Sequence, residues 1–402
     1  MKLFIGIEGI AMRFSVGVMS DETGEIISSV RLNGYSLSLH TMPRNVLRVR
    51  LLRLLKVLLK RAGLDLCDLK NCTICIGLTG TTFGYDREVD LHKEFNELNI
   101  DIEKLICTGD VEIAFASHTH NSEGSAIICH CGSTAYVVNR SDKKLNHVRF
   151  GGWGPAFGDE GSAFYMGKEV LRIIALEHDM RKEDYSILWK EVNNWLNNPE
   201  PSLNAWTRGS LYWKEINKEF NKWSERSPRK HDPRTLIFFF SHILHSFNEP
   251  AFKFEGLELW RRVSSGLVVP LMRAYRRGDP AAKQIVSNAI ESLADQHQKA
   301  FEIAKKLYRA KNIEPLVLYG GVINHNKNFL NKLIHVLNDK YDRNISPITI
   351  DTPNTLRPVC GALLFALGGS ETGNLRLPPK KIIDNLLKSQ RERPFMRDLK
   401  ND

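Results

Sequence analysis

The densest run of chemistry-bearing residues is Gly151-Gly152-Trp153-Gly154-Pro155-Ala156-Phe157-Gly158-Asp159-Glu160-Gly161-Ser162-Ala163, with five glycines in its first eleven residues. Glycine permits positive φ and lets a backbone approach a ligand closely. A helical pattern follows, so Asp159 and Ser162 also stand where side chains cap exposed helix amides. Capping explains either residue alone but not the whole string. Two further carboxylates fall at notable places. Glu8 lies within the apolar stretch that opens the chain, and Asp110 follows the apolar run Leu105–Thr108 and Gly109. The clusters His118-Thr119-His120, Cys129-His130-Cys131 and Cys72-x-x-Cys75 lack the usual spacing of a structural zinc site. Buried thiols at strand ends are the simpler reading, with metal binding or redox chemistry as the alternatives.

These residues need elements to position them. Leu3–Ile7, Phe14–Met19 and Glu25–Val30 read as three strands, with the turn Asp21-Glu22-Thr23-Gly24 between the last two. Pro43 opens a helix whose buried stripe is Leu47, Leu51, Leu54, Leu55 and Leu58. Thr73–Leu78 and Leu105–Thr108 read as strands with a polar helical stretch between them, and Val111–Ser117 as a helix. The order is βββαβαβα. The second half repeats it: strands at Ala126–Cys131, Ala135–Asn139 and His147–Phe150, then a helix at Glu160–Leu176. Strands at Leu316–Tyr319 and Pro347–Ile350 alternate with helices at His325–Leu337 and Leu356–Leu367. An insertion of about 140 residues, mainly helical, separates the first helix of this half from its fourth strand and carries six of the seven tryptophans. Alternation of this kind implies sheets covered by helices in both halves. The fold class is therefore α/β. Two such units resemble the plan of the sugar kinase/Hsp70/actin superfamily, which implies two facing RNase H-like βββαβαβα domains with a ligand cleft between them. The expected division is 1–118, 119–370 with a helical insertion at about 177–312, and a basic tail at 371–402.

A chain of 402 residues exceeds one ordinary core, and 42% hydrophobic with 25% charged residues excludes a disordered, collagen-like or coiled-coil architecture. The longest apolar run, Ala362 to Leu367, is far too short for a membrane span. No export signal is legible, so the seven cysteines are expected as reduced thiols in a cytoplasmic protein. The net charge of +10 favours anionic ligands. Arg44 to Arg61 holds seven basic residues and no acidic one. It reads as the solvated face of a helix or as a surface for an anionic partner. Trp206, Tyr212, Trp213 and Trp223 are expected in the core of the insertion, with a nucleic-acid surface as the alternative.

The glycine string resembles the GGWG…GDEGS segment of N-acetylglucosamine kinases and of the related BadF/BadG/BcrA/BcrD-type ATPases, in the sugar kinase/Hsp70/actin superfamily. Other pieces resemble the family in order: Ile5-Gly6-Ile7-Glu8-Gly9, Thr108-Gly109-Asp110, Gly132-Ser133-Thr134-Ala135-Tyr136, Arg277-Gly278-Asp279-Pro280-Ala281-Ala282, Gly320-Gly321-Val322 and Pro358-Val359-Cys360-Gly361-Ala362-Leu363. The resemblance implies ATP-dependent phosphoryl transfer to a hydroxyl of an amino sugar such as N-acetylglucosamine, with ATP and Mg2+ as cofactors. It implies that Asp110 is the catalytic base, with a helix N-cap as the alternative, because the acceptor hydroxyl must lose a proton and be aimed at the γ-phosphate. Glu8 is the implied magnesium-side carboxylate, with a strand-end turn residue as the alternative. Gly151, Gly152, Trp153, Asp159 and Ser133 are the implied sugar ligands. Gly9, Gly132, Gly320 and Gly321 are the implied nucleotide contacts.

Both phosphate hairpins depart from the family. Glu8-Gly9-Ile10-Ala11-Met12 stands where Asp/Glu-Gly-Gly-Gly-Thr is usual, and His130-Cys131-Gly132-Ser133 where Gly-Thr-Gly-Ser is usual. Tyr35-Ser36-Leu37-Ser38 offers serine where asparagine is usual. These changes lead to the expectation of weakened ATP binding. The alternative function is a degenerate kinase-fold protein that binds a sugar or nucleotide as a regulator. The partners expected are a small sugar and a nucleotide, with no membrane. A homodimer is one assembly left open.

Overall fold

In the computed structural model the described residues are 2–9, 14–33, 37, 44–78, 91, 93, 95–97, 100–120, 123–141, 144–180, 185–197, 220–222, 225, 233–245, 260–261, 264–349, 356–368, 370–371, 374–375 and 377–392. Ile10-Ala11-Met12, Tyr35, Ser36, Ser38, Trp206, Tyr212, Trp213 and Trp223 lie outside them.

The first half starts with β1 (Leu3–Gly9), β2 (Phe14–Ser20) and β3 (Ile26–Asn33), then α1 (Arg44–Arg61). Leu47, Leu51, Leu54, Leu55 and Leu58 are all buried on one face of α1, as their spacing predicts, while Arg53, Lys56 and Lys60 face solvent. A 3-10 turn at Leu66–Asn71, capped by Asp65, leads into β4 (Cys72–Leu78), followed by β5 (Lys104–Gly109) and α2 (Asp110–Thr119). The sheet order is β3-β2-β1-β4-β5. Every residue of β1 and β4 is buried, which their near-continuous apolar sequences require of central strands covered on both faces.

The second half repeats this topology. It contains β6 (Gly124–Cys129), β7 (Ser133–Ser141), β8 (Lys144–Gly151), α3 (Ala163–Asp179), α4 (Ile187–Asn197), α5 (Pro233–His245), α6 (Val268–Arg276) and α7 (Pro280–Tyr308). It continues with β9 (Leu316–Tyr319), α8 (Gly321–His325), α9 (Lys327–Tyr341), β10 (Ile348–Thr349) and α10 (Pro358–Gly368). Its sheet order, β10-β9-β6-β7-β8, matches the first strand for strand. The insertion helices share one core with α3, α7 and β9, through Trp189, Trp195, Phe239, Phe240 and Leu271 among others.

Two helices bind the halves together. Ile113 and Ala116 of α2 pack with the first sheet and α10, while Val111, Ala114 and Phe115 pack on the second sheet. Helix α10 closes the second repeat yet lies on the first sheet, with Val359, Leu363 and Ala366 in one cluster with Phe4, Val18 and Cys75. The expected division at residue 370 falls just after this helix. The expected basic tail holds two short strands, β11 (Ser370–Glu371) and β12 (Asn374–Leu375), and a helix, α11 (Lys380–Glu392). Ile383 and Leu386 bury into the same cluster, and the Ile26 amide donates to Ser389 Oγ at 2.9 Å. The expected helix at His325–Leu337 is found as Lys327–Tyr341, and a short separate helix, Gly321–His325, precedes it, with Asn326 as C-cap of the one and N-cap of the other.

Candidate active site

The strands bring the candidate residues to one end of each sheet. In the first sheet β1, β4 and β5 are parallel, with Glu8 opposite Gly77 and Gly77 opposite Thr108. Glu8 and Asp110 thus sit at the carboxyl ends of strands flanking β4, the usual position of ligands in such sheets. In the second sheet Ile128 pairs with Tyr319, Cys129 with Ser133, and Thr134 with Gly151. The 130–132 hairpin, Gly151 and the Gly320–Gly321 turn therefore share one end of that sheet. The Tyr319 ring meets His118 of α2 and His130 of the hairpin, with centroids 5.5 and 4.9 Å apart, and its hydroxyl is pushed well above the usual tyrosine value by burial first, then by the charges of Glu8 and Asp110.

Glu8 is buried. Burial, and then the neighbouring charge of Asp110, push its carboxyl up to about 7, against Arg31 and Arg357. Two mutually repelling carboxylates at strand ends fit a magnesium ion, which is commonly held by one or two carboxylates together with substrate phosphates. Asp110 is the first residue of α2, and Gly109 is its N-cap, without a side-chain capping bond. The Asp110 carboxylate is therefore not the helix cap. Glu112, one turn into the same helix end, is buried and pushed up to about 7, chiefly by burial.

At the end of the second sheet, hairpin 130–133 and the segment opening α3 are one hydrogen-bonded unit. The amides of Ala163 and Phe164 donate to the carbonyls of His130 and Cys131 at 2.9 and 3.2 Å. Ser133 Oγ donates to the Glu160 carbonyl at 2.6 Å, and the Ser133 amide donates to Asp159 Oδ1 at 3.3 Å. Gln296 Nε2 of α7 supports the Glu160 carbonyl from behind at 2.9 Å. Ser162 is the N-cap of α3, accepting from the Tyr165 amide at 3.1 Å, so Asp159 does not cap it either. Asp159 is 2% exposed, with a left-handed φ of 65°. Burial raises its carboxyl, outweighing Arg261, whose Nη2 lies 3.3 Å from Asp159 Oδ2.

Gly151 and Gly152 have φ of 79° and 72°. A β-carbon on Gly152 would stand 2.4 Å from Arg149 Nη2, which donates to the Gly152 carbonyl at 2.7 Å. Trp153 is 78% exposed. Gly9 ends β1, and Gly320 precedes α8. The Gly321 amide donates to His130 Nδ1 at 3.1 Å, and the His130 ring meets Tyr319 edge-on with centroids 4.9 Å apart. The other clusters serve packing. Cys129 Sγ donates to the Gly161 carbonyl, and His118 is pushed down to about 4, chiefly by burial. No group of three potential metal ligands occurs among the described residues.

Arg149, Arg261, Gln296, Glu112 and Tyr319 were not legible as site residues. None lies in a motif, and Arg261 reaches the site only because the insertion packs there.

The BadF/BadG/BcrA/BcrD ATPase family model matches residues 15–366. The chain is 30% identical, over 154 residues, to an N-acetylmuramic acid/N-acetylglucosamine kinase of Clostridium acetobutylicum, covering 37% of this chain and 48% of that protein. It is 27% identical, over 187 residues, to an N-acetyl-D-glucosamine kinase of Dictyostelium discoideum, covering 44% and 56%. The matches thus span about half the length of these relatives. The fold is similar to putative N-acetylglucosamine kinases of Chromobacterium violaceum (TM-score 0.55, 17% identity, 91% of this chain and 99% of that one) and Porphyromonas gingivalis (TM-score 0.52, 13% identity, 90% and 97%). The expected two-domain α/β fold agrees with these neighbours.

Proposed function

Because the chain belongs to the BadF/BadG/BcrA/BcrD ATPase family, we propose that it transfers the γ-phosphoryl group of ATP to a hydroxyl of an amino sugar such as N-acetylglucosamine. The observation that carries this reading is the placement of Glu8 and Asp110 at the carboxyl ends of β1 and β5, while hairpin 130–132, Gly151 and the Gly320–Gly321 turn share one end of the second sheet.

Each residue then has a task. Asp110 accepts the proton of the acceptor hydroxyl and aims its oxygen in line with the phosphorus. Glu8 holds magnesium, whose charge offsets that of the phosphates. Asp159, Ser133 and the backbone at Gly151 and Gly152 bind sugar hydroxyls, with Trp153 at the rim. Gly9, Gly132 and the Gly320–Gly321 turn line the nucleotide side. Arg149 holds the Gly152 carbonyl and so the shape of the sugar loop.

Calorimetric titration with magnesium–ATP, with and without N-acetylglucosamine, tests the reading. Binding of both ligands supports it. Binding of the sugar with no nucleotide binding at any concentration would refute it.

A further inference from the structure

Arg261 belongs to the helical insertion, far along the chain from the glycine string, yet its guanidinium lies within the candidate site. Nη2 is 3.3 Å from Asp159 Oδ2 and 2.5 Å from where a Gly132 β-carbon would stand. The Arg261 side chain is 12% exposed and that of Asp159 is 2% exposed. The cation therefore lies where the hairpin on the nucleotide side meets the string on the acceptor side. Resting on the phosphotransferase reading above, we propose that Arg261 contacts the phosphoryl group in transit and supplies charge that this hairpin does not.

The hairpin residues that replace the usual glycine and threonine are committed elsewhere. His130 Nδ1 accepts from the Gly321 amide, and the carbonyls of His130 and Cys131 accept from the start of α3. The side-chain space that Gly132 leaves empty is taken by the guanidinium. Phosphoryl transfer spreads negative charge over three equatorial oxygens, and a planar guanidinium can bind two of them at once. Asp159 faces Arg261 with one oxygen and accepts from the Ser133 amide with the other, so the cation is held before substrate arrives. In the transfer, the bond from the γ-phosphorus to its bridging oxygen breaks, its electron pair leaving on ADP. The acceptor oxygen forms the new bond to phosphorus, and its proton passes to Asp110. Arg261 neither gains nor loses a proton, as befits a guanidinium.

The test compares Arg261→Gln and Arg261→Lys with the unaltered protein, by calorimetric titration with magnesium–ATP and magnesium–ADP and then by turnover with N-acetylglucosamine. The unaltered protein should prefer ATP to ADP. Arg261→Gln should lose about ten- to a hundred-fold in ATP affinity with ADP affinity unchanged, and kcat should fall with it. Arg261→Lys keeps the charge without the fork and should fall between; it carries the test if the glutamine variant does not fold. A purely structural pair with Asp159 would lower melting temperature and sugar affinity while the ATP preference survived, which overturns the proposal. Losses confined to an acidic sugar such as N-acetylmuramic acid overturn it as well, by placing the guanidinium on an acceptor carboxylate. Equal affinity of the unaltered protein for ATP and ADP also overturns it. ATP preference with no sugar phosphorylated would instead refute the acceptor assignment, and the Arg261 titrations would still decide this one.

Discussion

His130 Nδ1 accepts the Gly321 amide proton at 3.1 Å, joining the hairpin between β6 and β7 to the turn that opens α8. Because the amide must donate, the ring proton of neutral His130 is on Nε2. The imidazole therefore acts as a strut between the two loops. His130→Ala should cost about 1 kcal/mol for the lost bond and speed hydrogen exchange at the Gly321 amide. Unchanged exchange there would remove the strut.

Asp159 is placed by its neighbours rather than by helix capping, which falls to Ser162. Asparagine tolerates the left-handed backbone better than most residues, so Asp159→Asn should fold. It should weaken sugar binding about ten- to a hundred-fold, since a bond to a charged group contributes about 1.5–3 kcal/mol. Sugar affinity equal to that of the unaltered protein, measured by calorimetry, would take Asp159 out of the binding set.

Helix α11 should be structural. Ser389→Ala leaves the buried Ile26 amide without its acceptor, at a cost of about 1–3 kcal/mol by denaturant unfolding. Removing residues 380–392 would delete Ile383 and Leu386 and expose the apolar surface they cover, and melting temperature should fall clearly. A truncated protein as stable as the parent would contradict this packing.

The strands, α1 and the glycine string were legible because each is coded locally, by an apolar run, a leucine stripe or glycine spacing. Helix α11 was hidden by its charge: eight basic residues after Ser370 drew the eye from Ile383 and Leu386, three positions apart on one face. The seating of α10 on the first sheet and the delivery of Arg261 are long-range events, with no local signal. At the site, Glu8, Asp110, Asp159 and the paired glycines could be named from the sequence, whereas the cations beside them could not.

Acid should destabilise the fold through buried neutral histidines. Burial pushes His297 from 6.5 down to about 3, and His118 from 6.5 to about 4. The unfolded chain therefore binds more protons below about 6.5, and stability falls with pH until the folded values are reached, by up to about 1.4 kcal/mol per unit and group. Glu8 and Glu112, raised from 4.5 to about 7, work the other way, gaining stability as pH falls through that interval. Asp159, raised from 3.8 by burial, opposes the histidines in the same sense as the glutamates, so the histidine effect is read as the difference between variant and parent. His297→Gln should lower the slope of stability on pH below about 6.5 in urea unfolding; slopes identical to the parent would show that His297 does not titrate this way.

The most direct test of the phosphotransferase account is turnover of magnesium–ATP with N-acetylglucosamine by the unaltered protein and by Asp110→Asn, read as phosphorylated sugar by mass spectrometry. The account predicts a sugar phosphate from the unaltered protein and a rate lower by about 10²–10⁴ in the variant, the usual contribution of a general base, with the fold intact by circular dichroism. Equal rates in the two proteins, or no phosphorylated sugar from either, would contradict it.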